Sequence, residues 1–257
     1  MKNPPLSLYV HLPWCVRKCP YCDFNSHAIK DDFPGDDYIN LLLTDLEAEL
    51  PLVWGRVVHS IFLGGGTPSL FSADQIERLV NGIRGRLPLS PDAEVTLEAN
   101  PGMIEHDSFS AYRHAGINRI SLGVQSFSDE RLNAIGRIHG RAEAAKALDS
   151  IRASGIANFN IDLMFALPGQ SAVEALEDVR LALEARPAHL SHYQLTLEPN
   201  TAFFAKPPDL PDDDEAWEMQ SRCAELLVQS GYEQYEISAW AQPGNECRHN
   251  LNYWGYG

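Results

Sequence analysis

Positive charge is scarce in this chain: 20 Lys and Arg stand against 35 Asp and Glu, a net charge of −15 over 257 residues. Binding a nucleic-acid backbone rests on neutralising phosphates with Lys and Arg, and anionic lipid headgroups attract the same residues. The sequence therefore predicts neither a nucleic-acid binder nor a membrane-surface protein. Long apolar runs are missing too; nothing approaches the ~20 residues of a membrane-spanning helix. No basic start leads into an apolar core and a cleavage site, because Leu6 to Leu12 is short and runs straight into cysteines. There are only five cysteines, three of them within eight residues, which is a poor basis for a disulfide scaffold. These absences predict a cytoplasmic protein in a reducing compartment.

Hydrophobic residues make up 44% and charged residues 21%, the balance of an ordinary soluble protein. The length suffices for one sizeable α/β domain with a buried core, or for two small ones. Short β-rich runs alternate with longer helical ones, without internal repeats. The predicted strands are Ser7–Leu12, His59–Leu63, Glu94–Ala99, Arg119–Gly123, Phe159–Met164 and Ser191–Leu197. Helices are predicted near Asp37–Leu50, Ala73–Arg86, Glu105–His114, Arg141–Ala153 and Ala172–Ala185. This alternation implies right-handed βαβ units on a parallel sheet, and hence an α/β fold of the partial (β/α)6 TIM-barrel type. Lys206–Asp214 is a Pro/Asp-rich loop ending at a good helix N-cap. A helix to about Gln229, a β-like stretch over Tyr232–Trp240 and an aromatic tail over His249–Gly257 follow. The expected division is a barrel over 1–205 and a linker, helix and tail over 206–257. The abrupt ending predicts a further C-terminal domain beyond it.

Side chains alternate across a strand. Tyr9 and His11 oppose Leu8, Val10 and Leu12; Ser60, Phe62 and Gly64 oppose Ile61 and Leu63; Thr96 and Glu98 oppose Val95 and Leu97. Ser121, Gly123 and Gln125 oppose Ile120 and Leu122, and Asn158, Asn160 and Asp162 oppose Phe159, Ile161 and Leu163. In the sixth strand the polar face is expected to be His192, Gln194 and Thr196. A parallel strand packed on both sides is apolar on both faces, so a repeated polar face predicts a ligand chamber, at the C-terminal strand ends where such barrels place their sites. A solvent-facing edge of an open sheet is the alternative.

The first loop reads Cys15-Val-Arg-Lys-Cys19-Pro-Tyr-Cys22, a C-x3-C-x2-C spacing. Three thiolates can each hold one iron of a cubane cluster and leave the fourth iron open to an exchangeable ligand. Burial beside Lys and Arg is expected to favour the thiolates. The alternatives are a zinc site completed by His11 or His27, or unligated structural cysteines. Zinc loops usually come as two cysteine pairs, and no second pair exists here.

This motif after a first barrel strand resembles the signature of the radical SAM superfamily. Tyr9-Val-His-Leu-Pro-Trp-Cys15, Gly64-Gly-Gly-Thr-Pro68, Leu97-Glu-Ala-Asn-Pro101, Gly123-Val-Gln-Ser-Phe127, Asn160-Ile-Asp-Leu-Met164 and Leu167-Pro-Gly169 extend the resemblance across the chain. They are similar to one family, the oxygen-independent coproporphyrinogen III oxidases and the related HemW haem chaperones. The resemblance implies a [4Fe–4S] cluster on Cys15, Cys19 and Cys22, with S-adenosylmethionine (SAM) at the open iron. It implies Tyr21 near the adenine, and Gly65, Gly66 and Thr67 at the methionine amino end. Glu98 would meet a ribose hydroxyl pair or the SAM amine. Gln125, Arg137 and Asp162 supply the remaining contacts, with Arg137 facing the carboxylate, and Tyr9 closes the pocket. Apart from the resemblance, the glycines would serve a plain turn, Arg137 a helix surface, Asp162 a cap or core contact, and Tyr9 ordinary core.

Two departures separate the branches of that family. The oxidases carry a fourth cysteine two residues after the third, where this chain has Phe24, and a longer segment before the first strand. His249-Asn-Leu-Asn-Tyr-Trp254 is similar to the HNxxYW motif of the chaperones, whose histidine is implicated in haem binding. A neutral imidazole suits haem iron; a surface tail histidine is the alternative, Cys247 a second candidate ligand, and Cys223 is expected in the core. The implied function is a haem chaperone with SAM, haem and a haemoprotein acceptor as partners. The competing one is an oxidase that decarboxylates porphyrinogen propionates by a 5′-deoxyadenosyl radical. A radical enzyme acting on an unrelated substrate is a third.

Overall fold

The computed structural model describes residues 4–29, 33–102 and 107–257. The apolar strand positions named above share one side of a sheet. Its parallel strands are β1 (Leu6–Leu12), β4 (Val58–Gly65), β5 (Leu89–Ala99), β6 (Arg119–Gln125), β7 (Asn158–Phe165) and β8 (His189–Gln194), each beside the next. Two stubs, β2 (Trp14–Cys15) and β3 (His27–Ala28), pair separately. Beyond β8 the sheet continues antiparallel through β10 (Ala239–Ala241) and β9 (Glu233–Gln234). The six parallel strands give the open, partial barrel expected from the sequence.

The helices in chain order are α1 (Gly35–Glu49), α2 (Ala73–Arg84), α3 (Phe109–His114), α4 (Asp129–Ala134), α5 (Arg141–Ser154), α6 (Ala172–Glu184), α7 (Ala202–Ala205), α8 (Asp213–Gln229) and α9 (Arg248–Trp254). Helix α2 starts at a reciprocal Ser72–Gln75 capping box, and Ile76, Leu79, Val80 and Ile83 bury one face at helical spacing. Boxes at Ser171–Glu174 and Asp212–Glu215 start α6 and α8 in the same way. The outward strand residues Leu63, Leu97, Ile120 and Ile161 are fully buried against these helices. Each such side chain contributes roughly 1.5–3 kcal/mol. Cys223 lies in that core, as expected.

Several details differ from the sequence reading. Strand β5 starts at Leu89, because turn-forming Ser90, Pro91 and Asp92 sit in an irregularity where the pairing jumps from Val58–Leu89 to Ser60–Glu94. Helix α4 went unpredicted, being only one and a half turns long. Of the predicted helix over Glu105–His114, residues 105 and 106 lie outside the described residues. Tyr232–Trp240 yields only the two short strands β9 and β10. The sixth strand has the opposite phase over its paired length: Asn160 pairs with His189, Asp162 with Ser191 and Met164 with Tyr193, so His189, Ser191 and Tyr193 face the lumen. Gln194 and Thr196, at and beyond the strand end, do reach the cavity at the C-terminal strand ends. His192 instead stacks on Phe165 at 4.7 Å on the other face. With polar residues on both faces, this strand has no hydrophobic contrast to set its phase, and the register with β7 decides it.

The aromatic tail folds back as α9 onto the lumenal face. The His249 ring lies 5.0 Å from Phe62 and 6.2 Å from Tyr9, and Arg248 N donates to Glu94 Oε1 at 3.1 Å. His249 is thus buried rather than a surface residue. Among the described residues no helix is long and apolar enough to cross a membrane.

Candidate cofactor site

At the C-terminal ends of the parallel strands lies a cavity of about 440 Å³. Its lining includes Cys15, Cys19 and Cys22 together with Tyr21, Gly65, Gly66, Thr67, Glu98, Gln125, Arg137 and Asp162. Tyr9 and His249 are not part of it. Tyr9 is 44% exposed and its hydroxyl contacts His11 Nδ1 at 3.0 Å, while His249 sits deeper, towards the N-terminal strand ends.

The cysteine loop is pinched at its base by β2 and β3, where Trp14 pairs with His27 and Cys15 with Ala28. Gly66 N and Thr67 N donate to Leu12 O and Trp14 O at 2.8 and 2.7 Å, stitching the end of β4 to the loop. A Cβ on Gly66 would stand 2.5 Å from Trp14 O, and Gly65 adopts φ +113 against the His11 ring. Glycine is required here because two backbones meet.

Arg137 bridges the site. Its Nη2 donates to Asn100 Oδ1 and to Gly123 O, its Nη1 lies 3.6 Å from Cys19 Sγ, and its buried Nε has no partner among the described residues. Asn100 Nδ2 in turn donates to Thr67 Oγ1 at 3.0 Å. Gln125 takes φ 71 at a register shift in β6, a strained state for a glutamine, and its Oε1 accepts from Tyr193 OH at 2.6 Å. Sequence reasoning missed Tyr193 through the inverted strand phase. It also missed Asn100, although the residue stands inside the Leu97–Pro101 motif.

Glu98 receives Gly65 N at 3.1 Å. Burial and the nearby Asp162 carboxylate push its pKa up to about 8, against the pull of Gly65 N–H and Arg119. Burial also raises Asp162, opposed by hydrogen bonds from Asn160 and neighbouring hydroxyls. Two half-buried carboxyls without a full countercharge suit a ligand that brings positive charge. At Cys22, burial outweighs Lys18 and pushes the thiol up. The expectation that basic neighbours favour the thiolate is therefore corrected there; ligation itself would have to remove that proton.

No three His, Cys, Asp or Glu side chains among the described residues form a cage for a single metal ion. A cubane imposes a different demand, since each thiolate binds its own iron. Three half-buried free thiols on one cavity wall meet that demand.

A parallel open barrel with a C-x3-C-x2-C loop at its mouth is the build of a radical SAM domain, and the radical SAM superfamily model matches residues 9–182. The chain belongs to the radical SAM superfamily and, within it, to the HemW family. It is 56% identical over 257 residues to the haem chaperone HemW of Escherichia coli, covering all of this chain and 68% of that one. The Haemophilus influenzae HemW is 54% identical over 260 residues with the same coverage, and that of Mycobacterium tuberculosis 35% over 263 residues, covering 67%. Among solved structures, coproporphyrinogen III oxidase HemN of Escherichia coli superposes with a TM-score of 0.85 at 31% identity. That match covers 95% of this chain and 57% of HemN. The chain thus spans about two thirds of its curated relatives. Superfamily membership implies a [4Fe–4S] cluster and SAM.

Proposed function

We propose that this chain is the cluster- and SAM-binding part of a cytoplasmic haem chaperone that passes haem to acceptor haemoproteins. The carrying observation is one cavity faced by three thiols, the Arg137 fork and the half-buried Glu98 and Asp162 carboxyls. In this reading Cys15, Cys19 and Cys22 hold the cluster, and Arg137 faces the SAM carboxylate. Gly65, Gly66 and Thr67 receive the methionine end, while Glu98 takes the amine. Gln125 and Asp162 orient the ribose, and Tyr21 lies near the adenine. When bound, the pair supplies one-electron chemistry at the cluster. The protein positions it and excludes water.

Phe24 supports the chaperone rather than the oxidase, since it stands 59% exposed at the cavity wall where the oxidases carry a fourth cysteine. His249 supports it as well. Burial and then Arg119 lower its pKa to about 4, so the imidazole is neutral, and its Nε2 has no partner among the described residues. Ser60 donates to Ser7 at 2.7 Å and is therefore free to accept from His249 Nδ1, 3.4 Å away. That leaves the Nε2 lone pair unclaimed by the protein, and haem reaches it only when α9 lifts from the lumenal face, because the atom is buried among Tyr9, Phe62 and Tyr253.

The test is a haem titration of the anaerobically reconstituted protein. Stoichiometric uptake that is lost in His249→Ala supports the proposal. Conversion of coproporphyrinogen III to protoporphyrinogen in the presence of SAM and reductant would replace it with the oxidase, the activity for which HemN is named.

A further inference from the structure

Below the cavity, a line of buried and half-buried polar groups leads from α9 to the candidate SAM site. Asn250 Nδ2 on α9 donates to Tyr235 OH at 3.2 Å, and Cys247 N donates to the same oxygen at 3.3 Å. Tyr235 OH lies 2.7 Å from His189 Nε2, and His189 Nδ1 lies 2.7 Å from Asn160 Oδ1. Asn160 Nδ2 donates to Asp162 Oδ1 at 2.7 Å and to Ser121 Oγ at 2.8 Å.

The direction of each bond is fixed by its neighbours. Reversing the Asn160 amide would set its oxygen against the Asp162 carboxylate. His189 Nδ1 must therefore carry a proton. Burial, then Arg119, hold the His189 pKa well below its ordinary value, so the ring is neutral and its Nε2 is an acceptor. Tyr235 consequently donates to it while accepting from α9. Every donor points the same way, from Asn250 through Tyr235, His189 and Asn160 to Asp162. Chains of this kind polarise along their length.

We propose that Tyr235, His189 and Asn160 are positioning residues that couple the docking of α9 in the lumen to the orientation of Asp162 in the SAM site. The proposal rests on the assignment of Asp162 as a SAM contact. Neither Tyr235, His189 nor Asn160 lines the cavity, so none can touch SAM there. Their influence has to pass through Asp162. Coupling is reciprocal, so SAM binding tightens α9 as docked α9 tightens SAM. The helix that carries His249 thereby senses whether the site above it is filled.

The experiment is a double-mutant cycle on SAM affinity, measured by calorimetry on the anaerobically reconstituted protein without reductant. Tyr235→Phe keeps the ring and removes the hydroxyl; it is expected to weaken SAM by about threefold to tenfold, the scale of one hydrogen bond. In an Asp162→Asn background the same change is expected to have no further effect. Tyr232→Phe is the control, because it also loses one buried phenol bond, to Pro187 O, but lies off the line. It should leave SAM affinity unchanged. Asn250→Ala, which cuts the line at its α9 end, serves if Tyr235→Phe does not fold. Hydrogen exchange of the 248–254 amides should slow on SAM addition in the parent and not in Tyr235→Phe. If Asp162→Asn weakens SAM but Tyr235→Phe does not, or adds to it fully, the coupling is overturned and the SAM site stands. If Asp162→Asn leaves SAM binding unchanged, the site assignment fails and takes the coupling with it.

Discussion

Arg137 reaches from the loop after α4 to within 3.6 Å of the Cys19 sulfur, while its second nitrogen is held by Asn100 Oδ1 and Gly123 O. One side chain thus ties the cysteine loop to the ends of β5 and β6. A guanidinium does this with its fixed fork, which an ammonium lacks. Arg137→Lys should therefore behave almost like Arg137→Ala. Both should weaken SAM by about tenfold to a hundredfold, the range of a lost charge-assisted bond. Calorimetry on the reconstituted variants checks this, with the cluster absorbance as a control for folding.

If Glu98 takes the SAM amine as proposed, SAM binding should depend on pH. With its pKa at about 8, it is mostly protonated in the free site at neutral pH, and a positively charged ligand favours its ionised form. Binding then releases a proton. Affinity should fall by up to about tenfold per unit as the pH drops below 8, and level off above it. Titrations in two buffers of different ionisation enthalpy measure the proton released. Glu98→Gln should lose both the slope and the proton.

Asp178 holds the segment after Gln125, accepting from Ser126 Oγ and Phe127 N at 2.7 Å each and from Gln170 Nε2 at 3.3 Å. Asp178→Ala leaves three buried donors without an acceptor and should cost about 3 kcal/mol in chemical denaturation. Burial raises its pKa from 3.8 to about 6 despite these bonds. The folded state therefore holds this proton more tightly than the unfolded chain. The stability the group contributes is present below the ordinary carboxylate range and is lost as pH rises through about 6. Asp178→Asn should remove that segment of the stability–pH curve.

Gly66→Ala probes the junction of the two loops. The added methyl would meet backbone, Trp14 O at 2.5 Å and Pro13 C at 2.7 Å, so no side-chain rotation can relieve it. The stitch from Gly66 and Thr67 to the cysteine loop should open, lowering iron incorporation severalfold while circular dichroism stays near that of the parent. Gly85, at φ −71 and with no atom nearer than 3.5 Å to an added methyl, is the comparison position.

Much of the barrel was legible because five of its six parallel strands alternate apolar and polar residues, and that contrast sets both the strand and its phase. Strand β8 broke the rule: His189, Ser191 and Tyr193 on one face give little contrast with a second face that carries His192. Its phase depends on pairing with β7, which no local pattern encodes. The cavity residues were found through motifs at strand ends, where local sequence and tertiary position coincide. Asn100 and Tyr193 were missed because their roles depend on partners 37 and 68 residues away. The path from Asn250 to Asp162 was wholly illegible. It exists only because α9 folds back into the lumen, and nothing in His249–Gly257 taken alone says where that helix docks.

The most direct measurement is iron and sulfide content after anaerobic reconstitution, read with the absorbance near ~400 nm that iron–sulfur charge transfer gives. The account predicts about four irons and four sulfides per chain, with the band lost in Cys19→Ala and kept in Cys223→Ala. A parent protein without the band, or a Cys19→Ala variant that keeps it, would contradict the account.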